Sequence, residues 1–152
     1  MSIDLSIILL DNSVRERFHT LDWLSNQTIS RDRYELIWVE AHDRVVEQVK
    51  NKVDHLITMH QPGIPLKHAS ENAGIIQAAG RIITMCDADA VYPPEFVASI
   101  LASFDEGRKV LMHYEERSNV SYPDGATLAQ IRVMPFSVWP NVGACLSVLR
   151  RD

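Results

Sequence analysis

"KHASENAGIIQAAGRIITMCDAD", Lys67 to Asp89, decides the fold. Its first part, "ASENAGIIQAAG", reads as a helix ended by Gly80, with Ala69, Ala73 and Ile76 on one face. "RIITMC" is then a short, continuous apolar run, as a strand covered on both faces requires. The run stops at Asp87-Ala88-Asp89, two carboxylates one residue apart. Pro93 and Pro94 suit the first turn of a further helix, which buries Phe96, Ile100 and Phe104 and stops at Gly107.

The same alternation runs outward in both directions. "LSIILL" (Leu5 to Leu10), "YELIWVE" (Tyr34 to Glu40), "HLITM" (His55 to Met59) and "KVLMHY" (Lys109 to Tyr114) read as strands. Ser13 and Glu16 have the spacing of a capping box for a helix carrying Phe18, Leu21 and Leu24. Asp43 is placed to cap a helix carrying Val46, Val49 and Val53. After residue 114 the pattern is less periodic: Glu115-Glu116 reads as a solvated turn, and "VGACLSVL" (Val142 to Leu149) is a last apolar run. Strands alternating with helices predict an α/β fold, a mostly parallel open sheet with helices on both faces.

Bulk properties narrow the function. The chain has 152 residues, 46% hydrophobic and 23% charged, which fits one domain spanning 1–152. A net charge of -5 argues against a general nucleic-acid surface. No apolar stretch is long and unbroken enough for a membrane span, because Pro135, Pro140 and Asn141 interrupt the longest. Cys86 and Cys145 have no metal-ligand spacing, and a reducing, cytoplasmic setting is expected. The six histidines form no helical ligand pair and read as surface or core residues. Trp23, Trp38 and Trp139 read as core or interface. Dinucleotide, P-loop and nucleophile-elbow signatures are absent.

Open α/β sheets bind ligands outside the carboxyl ends of their strands. Asp11, Glu40 and the Asp87/Asp89 pair all fall at such ends. Roughly one D-x-D is expected by chance in a chain this acidic, so position carries the signal. In an extended segment, residues two apart point the same way, with Cα atoms about 6.5–7 Å apart. Asp87 and Asp89 so placed can share one divalent cation, Mg²⁺ or Mn²⁺, which would help a diphosphate leave. The structural alternative is a solvated loop in which Asp89 caps the next helix.

Taken together, these segments resemble the N-terminal part of a family 2 glycosyltransferase with the GT-A fold, over about Leu5 to Asp152. "LSNQTISRDRYELIWVE" is similar to the family's "SL-x-x-Q…YEIIVVD" segment, and Lys67 to Asp89 is similar to its "K-x-x-x-x-N-x-G…A-x-G-x-I…D-x-D" segment. "VGACLSVLRRD" resembles the strand leading to the acceptor half. The resemblance implies a nucleotide diphosphate sugar as donor, usually a UDP-sugar. It places Asp11 in the loop cradling the base and Glu40 at the acid that hydrogen-bonds uracil. Lys67 and Asn72 fall near the nucleotide, Asp87 at the ribose and cation, and Asp89 on the cation.

The chain departs from that pattern at Leu10-Asp11-Asn12-Ser13, where Pro-Thr-Tyr-Asn is usual. Glu40-Ala41-His42-Asp43 replaces Asp-Asp-Gly-Ser, and Glu71 stands where an arginine is frequent. The family's catalytic base follows the segment resembling "RRD", so the chain is expected to hold the donor-binding part of a longer protein, with the base and the acceptor unassigned. Two other readings stand beside this one: a degenerate, non-catalytic binding or assembly domain, and a haloacid-dehalogenase-like phosphatase. In the second, Asp87 is the nucleophile and Asp89 an acid/base.

Overall fold

In the computed structural model, which describes residues 2–60, 63, 67–113, 115–118, 125–139 and 145–150, the apolar runs become strands. β1 (Leu5–Asp11), β2 (Tyr34–Glu40), β3 (His55–Thr58) and β4 (Ile82–Asp87) run parallel. They are joined by helices α1 (His19–Ser25), α2 (Glu47–Lys50) and α3 (Lys67–Gln77), with a 3-10 turn at Arg31–Arg33. α4 (Phe96–Asp105) then leads to β5 (Val110–Met112). β6 (Glu115–Ser118) and β7 (Phe136–Trp139) form a separate antiparallel pair around α5 (Leu128–Arg132), and β8 (Leu146–Leu149) returns to the main sheet. The six-stranded order is β3-β2-β1-β4-β8-β5, with β8 antiparallel to both neighbours. This is the expected open, mostly parallel sheet with helices on both faces.

Alternation along each strand divides the core in two. Leu5, Ile7 and Leu9 of β1 point to one face, with Leu36 and Trp38, and are covered by Leu21 and Leu24 of α1 and by Phe96, Ile100 and Phe104 of α4. Ile8, Ile37, Val39 and Ile83 point to the other face, under Ala73 of α3 and Ala78. Each such fully buried side chain contributes about 1.5–3 kcal/mol. The order also fixes where a ligand can enter. The chain passes from β1 to β2 and β3 on one side, then crosses to β4 on the other. The carboxyl ends of β1 and β4 therefore flank a topological switch point.

Several local expectations are corrected. Ser13 and Glu16 build no capping box: Ser13 adopts φ 61 and α1 starts only at His19. A true capping box forms at Thr127 and Gln130. Asp43 caps nothing; it pairs with His60, and α2 is one short turn with Val46 at its N-cap. On α3 the buried face is Ser70 and Gly74, whereas Ile76 is 83% exposed. Pro93 and Pro94 precede α4, whose N-cap is Glu95. Glu115-Glu116 lies on β6, not in a turn, because β7 supplies its partner strand. Tyr114 of the expected fifth strand and Val142 to Ala144 of the expected last apolar run lie outside the described residues.

Two glycines are required by close approach. A Cβ on Gly74 would meet Ile8 Cγ2 at 2.5 Å, so α3 lies directly on β1. A Cβ on Gly80 would meet Ser6 N at 2.6 Å and Leu5 C at 2.8 Å, both backbone atoms of a buried strand. Gly80 is therefore kept by contact with β1, and α3 has already ended at Gln77. Around it, Gly80 N donates to Ser6 Oγ (2.8 Å), Ser6 Oγ donates to Glu35 Oε1 (2.5 Å), and Ala79 N donates to the same oxygen (2.7 Å). Gly80→Ala is expected to destabilise the chain by about 1–3 kcal/mol in urea unfolding, since neither backbone can yield.

Where β8 inserts beside β4, a polar seam runs through the sheet. Thr84 Oγ1 and Ser147 Oγ are 2.6 Å apart, and His113 Nε2 is 2.7 Å from Ser147 Oγ. The free thiols of Cys86 and Cys145 face each other at 3.7 Å, and burial pushes the Cys86 thiol up. Burial also holds the His113 imidazole below its ordinary 6.5. The unfolded chain therefore takes up this proton first as pH falls. The contribution is fully present above about pH 6.5 and is lost as pH drops through the folded value. His113→Gln is expected to lose less Tm than the parent between about pH 7 and about pH 5.

Candidate functional site

Strand register brings the acids to one rim. Asp11 is paired with Glu40 across β1 and β2, and Leu10 with Asp87 across β1 and β4. Asp11 and Glu40 are each only 1% exposed. Buried carboxylates need partners, and two arginines supply them. Arg44 Nη2 donates to Asp11 Oδ2 at 2.6 Å, and Arg44 Nε ion-pairs with Glu40 Oε1 at 3.3 Å. Arg15 Nη1 donates to Asp11 Oδ1 at 3.1 Å. Glu40 also accepts from the Ser13 hydroxyl and from Trp38 Nε1 at 3.1 Å. Arg44 Nη1 donates to the Arg15 carbonyl at 2.8 Å, which locks the loop after β1 against the loop after β2. The left-handed backbone at Ser13 makes this return possible.

The D-x-D pair stands beside this clamp. Asp87 ends β4, and its carbonyl accepts from Tyr92 Oη at 3.0 Å. The Asp89 side chain is 61% exposed, and its Oδ2 accepts from Arg15 Nη2 at 3.1 Å. Asp89 does not cap α4; Gln27 Oε1 accepts from Val97 N instead, at 2.9 Å. The loop is pinned to α1 by His19 Nε2, 3.1 Å from the Asp89 carbonyl, and by Thr20 Oγ1 donating to Ala90 O at 2.6 Å. Burial opposes the charge on Arg15, yet Asp89 and Asp11 hold its pKa above the ordinary value.

Between β1, β4 and the first turn of α3 lies a cleft of about 210 Å³. Leu10 lines it from β1, Asn12 and Arg15 from the loop after β1, Asp87 from β4, and Lys67, Ser70 and Glu71 from α3. Glu71 thus faces the cleft, but Lys67 Nζ (3.6 Å) and His68 Nδ1 (3.0 Å) sit against its carboxylate. Asn72 is exposed on α3 and does not line the cleft. The structure therefore gathers Lys67, Asp87, and, through Arg15, Asp11 and Asp89. Glu40 lies behind Arg44, and Asn72 lies apart. Among the described residues, no three His, Cys, Asp or Glu side chains are grouped so as to hold a metal ion unaided.

Sequence reasoning missed Arg15 and Arg44. The available signal was a repeated spacing: each arginine follows its strand-end acid by four residues, Asp11 to Arg15 and Glu40 to Arg44. His19 gave no signal, because its contact with the Asp89 loop spans 70 residues.

S. aureus TarS in complex with UDP-GlcNAc is 21% identical, with a TM-score of 0.61 over 71% of this chain and 33% of that chain. A mannosyltransferase from Pyrobaculum calidifontis, in complex with GDP-Man and Mn²⁺, is 17% identical, with a TM-score of 0.59 over 72% of this chain and 35% of that one. The 4-diphosphocytidyl-2C-methyl-D-erythritol synthase of Anaerococcus prevotii is 14% identical, with a TM-score of 0.59 over 97% of this chain and 70% of that one. At these identities the likeness is one of fold, the GT-A fold. The chain spans 20% to 34% of the length of the TarS chains it matches. No curated protein sequence matches it. Among the described residues no helix is long and apolar enough to cross a membrane. The glycosyl transferase family 2 model matches residues 19–141, and on that match the chain belongs to the glycosyl transferase family 2.

Proposed function

We propose that the chain is the donor-binding part of a glycosyltransferase that takes a nucleotide diphosphate sugar, with a UDP-sugar the first candidate. The observation that carries this is the cleft at the β1/β4 switch point, in a family 2 chain, with Lys67, Arg15 and Asp87 on its walls. Lys67 and Arg15 offer cationic donors to phosphate oxygens. Asp11 and Glu40, held by Arg44, form the wall behind the nucleotide loop. At about 210 Å³ the cleft is smaller than the roughly 300–1,000 Å³ of complete ligand pockets, so it takes part of the donor. The acceptor hydroxyl attacks the anomeric carbon in line as the nucleoside diphosphate leaves; the base for that hydroxyl is not assigned to this chain.

The donor set fits Mn²⁺ or Mg²⁺. Two hard carboxylates, Asp87 and Asp89, are enough for a cation that completes its shell with substrate phosphates and water. Such an ion would supply charge neutralisation of the departing diphosphate. A reducing compartment, the cytoplasm, suits the two buried free thiols. In calorimetry with a UDP-sugar and Mn²⁺, Asp89→Ala is expected to weaken binding at least about tenfold, a loss of one charged ligand. Unchanged, metal-dependent binding by that variant would count against the site.

One observation favours the second reading, a non-catalytic binding domain. Asp11 and Glu40 already spend their charge on Arg15 and Arg44. A longer version that binds no sugar nucleotide would establish that reading. The family match speaks for glycosyl transfer over the phosphatase alternative.

A further inference from the structure

Arg15 holds two carboxylates of opposite accessibility. Its Nη1 is anchored on Asp11, whose side chain is 0% exposed, and on the Leu10 carbonyl at 3.4 Å. Its Nη2 reaches Asp89, whose side chain is 61% exposed. Its Nε is buried and has no hydrogen-bond acceptor among the described residues. A buried donor without an acceptor is costly and marks a place where an acceptor is missing. Arg15 also lines the cleft beside Lys67 and Asp87.

The two ends differ in how firmly they are held. The Asp11 end is buried and shared with Arg44, so it is fixed. On the Asp89 end, His19 and Thr20 hold the loop by its backbone carbonyls, and the carboxylate alone is left to change partner. A cation arriving at Asp89 without an anion meets the guanidinium of Arg15 at close range, and like charges repel. A diphosphate removes that conflict, because it offers acceptor oxygens to Arg15 and negative charge to the cation.

We infer that Arg15 is a positioning residue for Asp89 that makes cation binding conditional on a diphosphate. Without diphosphate, Arg15 occupies the Asp89 carboxylate and keeps divalent cations weakly bound. With diphosphate, Arg15 Nη2 exchanges the Asp89 carboxylate for a phosphate oxygen while Nη1 stays on Asp11, and Asp89 is released. The inference rests on the donor reading above and adds an order to it: anion first, or anion and cation together.

The test uses the whole chain and two readouts. Free Mn²⁺ is followed by electron paramagnetic resonance without nucleotide, and uridine diphosphate binding is followed by calorimetry in excess EDTA. Arg15→Gln is expected to bind bare Mn²⁺ about tenfold more tightly than the parent and uridine diphosphate about tenfold more weakly in EDTA. Arg15→Lys keeps the charge and restores weak Mn²⁺ binding. Asp89→Asn leaves the buried Asp11 contact intact and serves if Arg15→Gln fails to fold; it is expected to bind uridine diphosphate in EDTA at least as well as the parent. Equal bare-Mn²⁺ affinity in the parent and Arg15→Gln, or a loss of diphosphate binding in Asp89→Asn, overturns the inference. Absence of any nucleotide binding, with the Mn²⁺ response of Arg15→Gln intact and abolished by adding Asp89→Asn, refutes the donor reading and leaves cation exclusion by Arg15 standing.

Discussion

Arg44→Ala lowers the unfolding free energy by about 3–5 kcal/mol, the expected cost of stripping a partner from buried charge. For a chain of this size that is a fall in Tm of roughly 6–20 °C. The effect is large because Arg44 serves two carboxylates at once, Asp11 at 2.6 Å and Glu40 at 3.3 Å, and neither has solvent to turn to. Arg44 also sits over the Phe18 ring, 5.8 Å from its centroid, so the truncation removes packing as well as charge. Adding Asp11→Asn to Arg44→Ala should recover part of the loss, because one of the two buried charges that lost Arg44 is then gone. Urea unfolding of the two single variants and the double variant measures the coupling. Purely additive losses would mean that the arginine contributes through packing and not through the acids.

Trp38→Ala is the second large change, expected at about 3–5 kcal/mol. Trp38 is fully buried in β2, packs edge-on to Phe18 with centroids 5.7 Å apart, and donates its indole N–H to Glu40. It therefore joins the core to the site. Trp38→Phe keeps most of the apolar volume and removes the donor, so a smaller loss of about 1–3 kcal/mol is expected. If the two substitutions cost the same, the hydrogen bond to Glu40 outweighs the ring, and packing does not set the stability of β2.

Much of this architecture was readable from residue order. Buried parallel strands need continuous apolar runs, so "LSIILL", "YELIWVE" and "RIITMC" located β1, β2 and β4 to within a residue. The acids were readable as a set because their only shared property, position at a strand's carboxyl end, is local. What was not readable depends on contacts far apart in sequence. The Arg15–Asp89 bond joins residues 74 apart, and no periodicity announces it. The Ser13–Glu16 signature failed for the same reason: Ser13 is claimed by Glu40, 27 residues away, and its backbone turns out of the helical region to reach it. The spacing puts Ile76 on one face with Ala69 and Ala73, but the buried positions of α3 are Ser70 and Gly74, with Gly74 tight against Ile8, and Ile76 is left outside. The place of β8 was equally hidden, since an antiparallel strand inserted between two others leaves no mark in its own four residues.

That insertion governs the order of assembly. β4 and β5 never touch in register; Leu146–Leu149 is the splint between them. As the polypeptide leaves the ribosome, β1 to β4 can associate while their outer edge still shows bare amides and carbonyls, and β5 has nothing to join. Closure waits for more than 50 residues of further synthesis, and through that interval the nascent domain carries an open, apolar-flanked edge. The step that completes the sheet thus covers the β4 edge and leaves the short strands β3 and β5 as the outer ones.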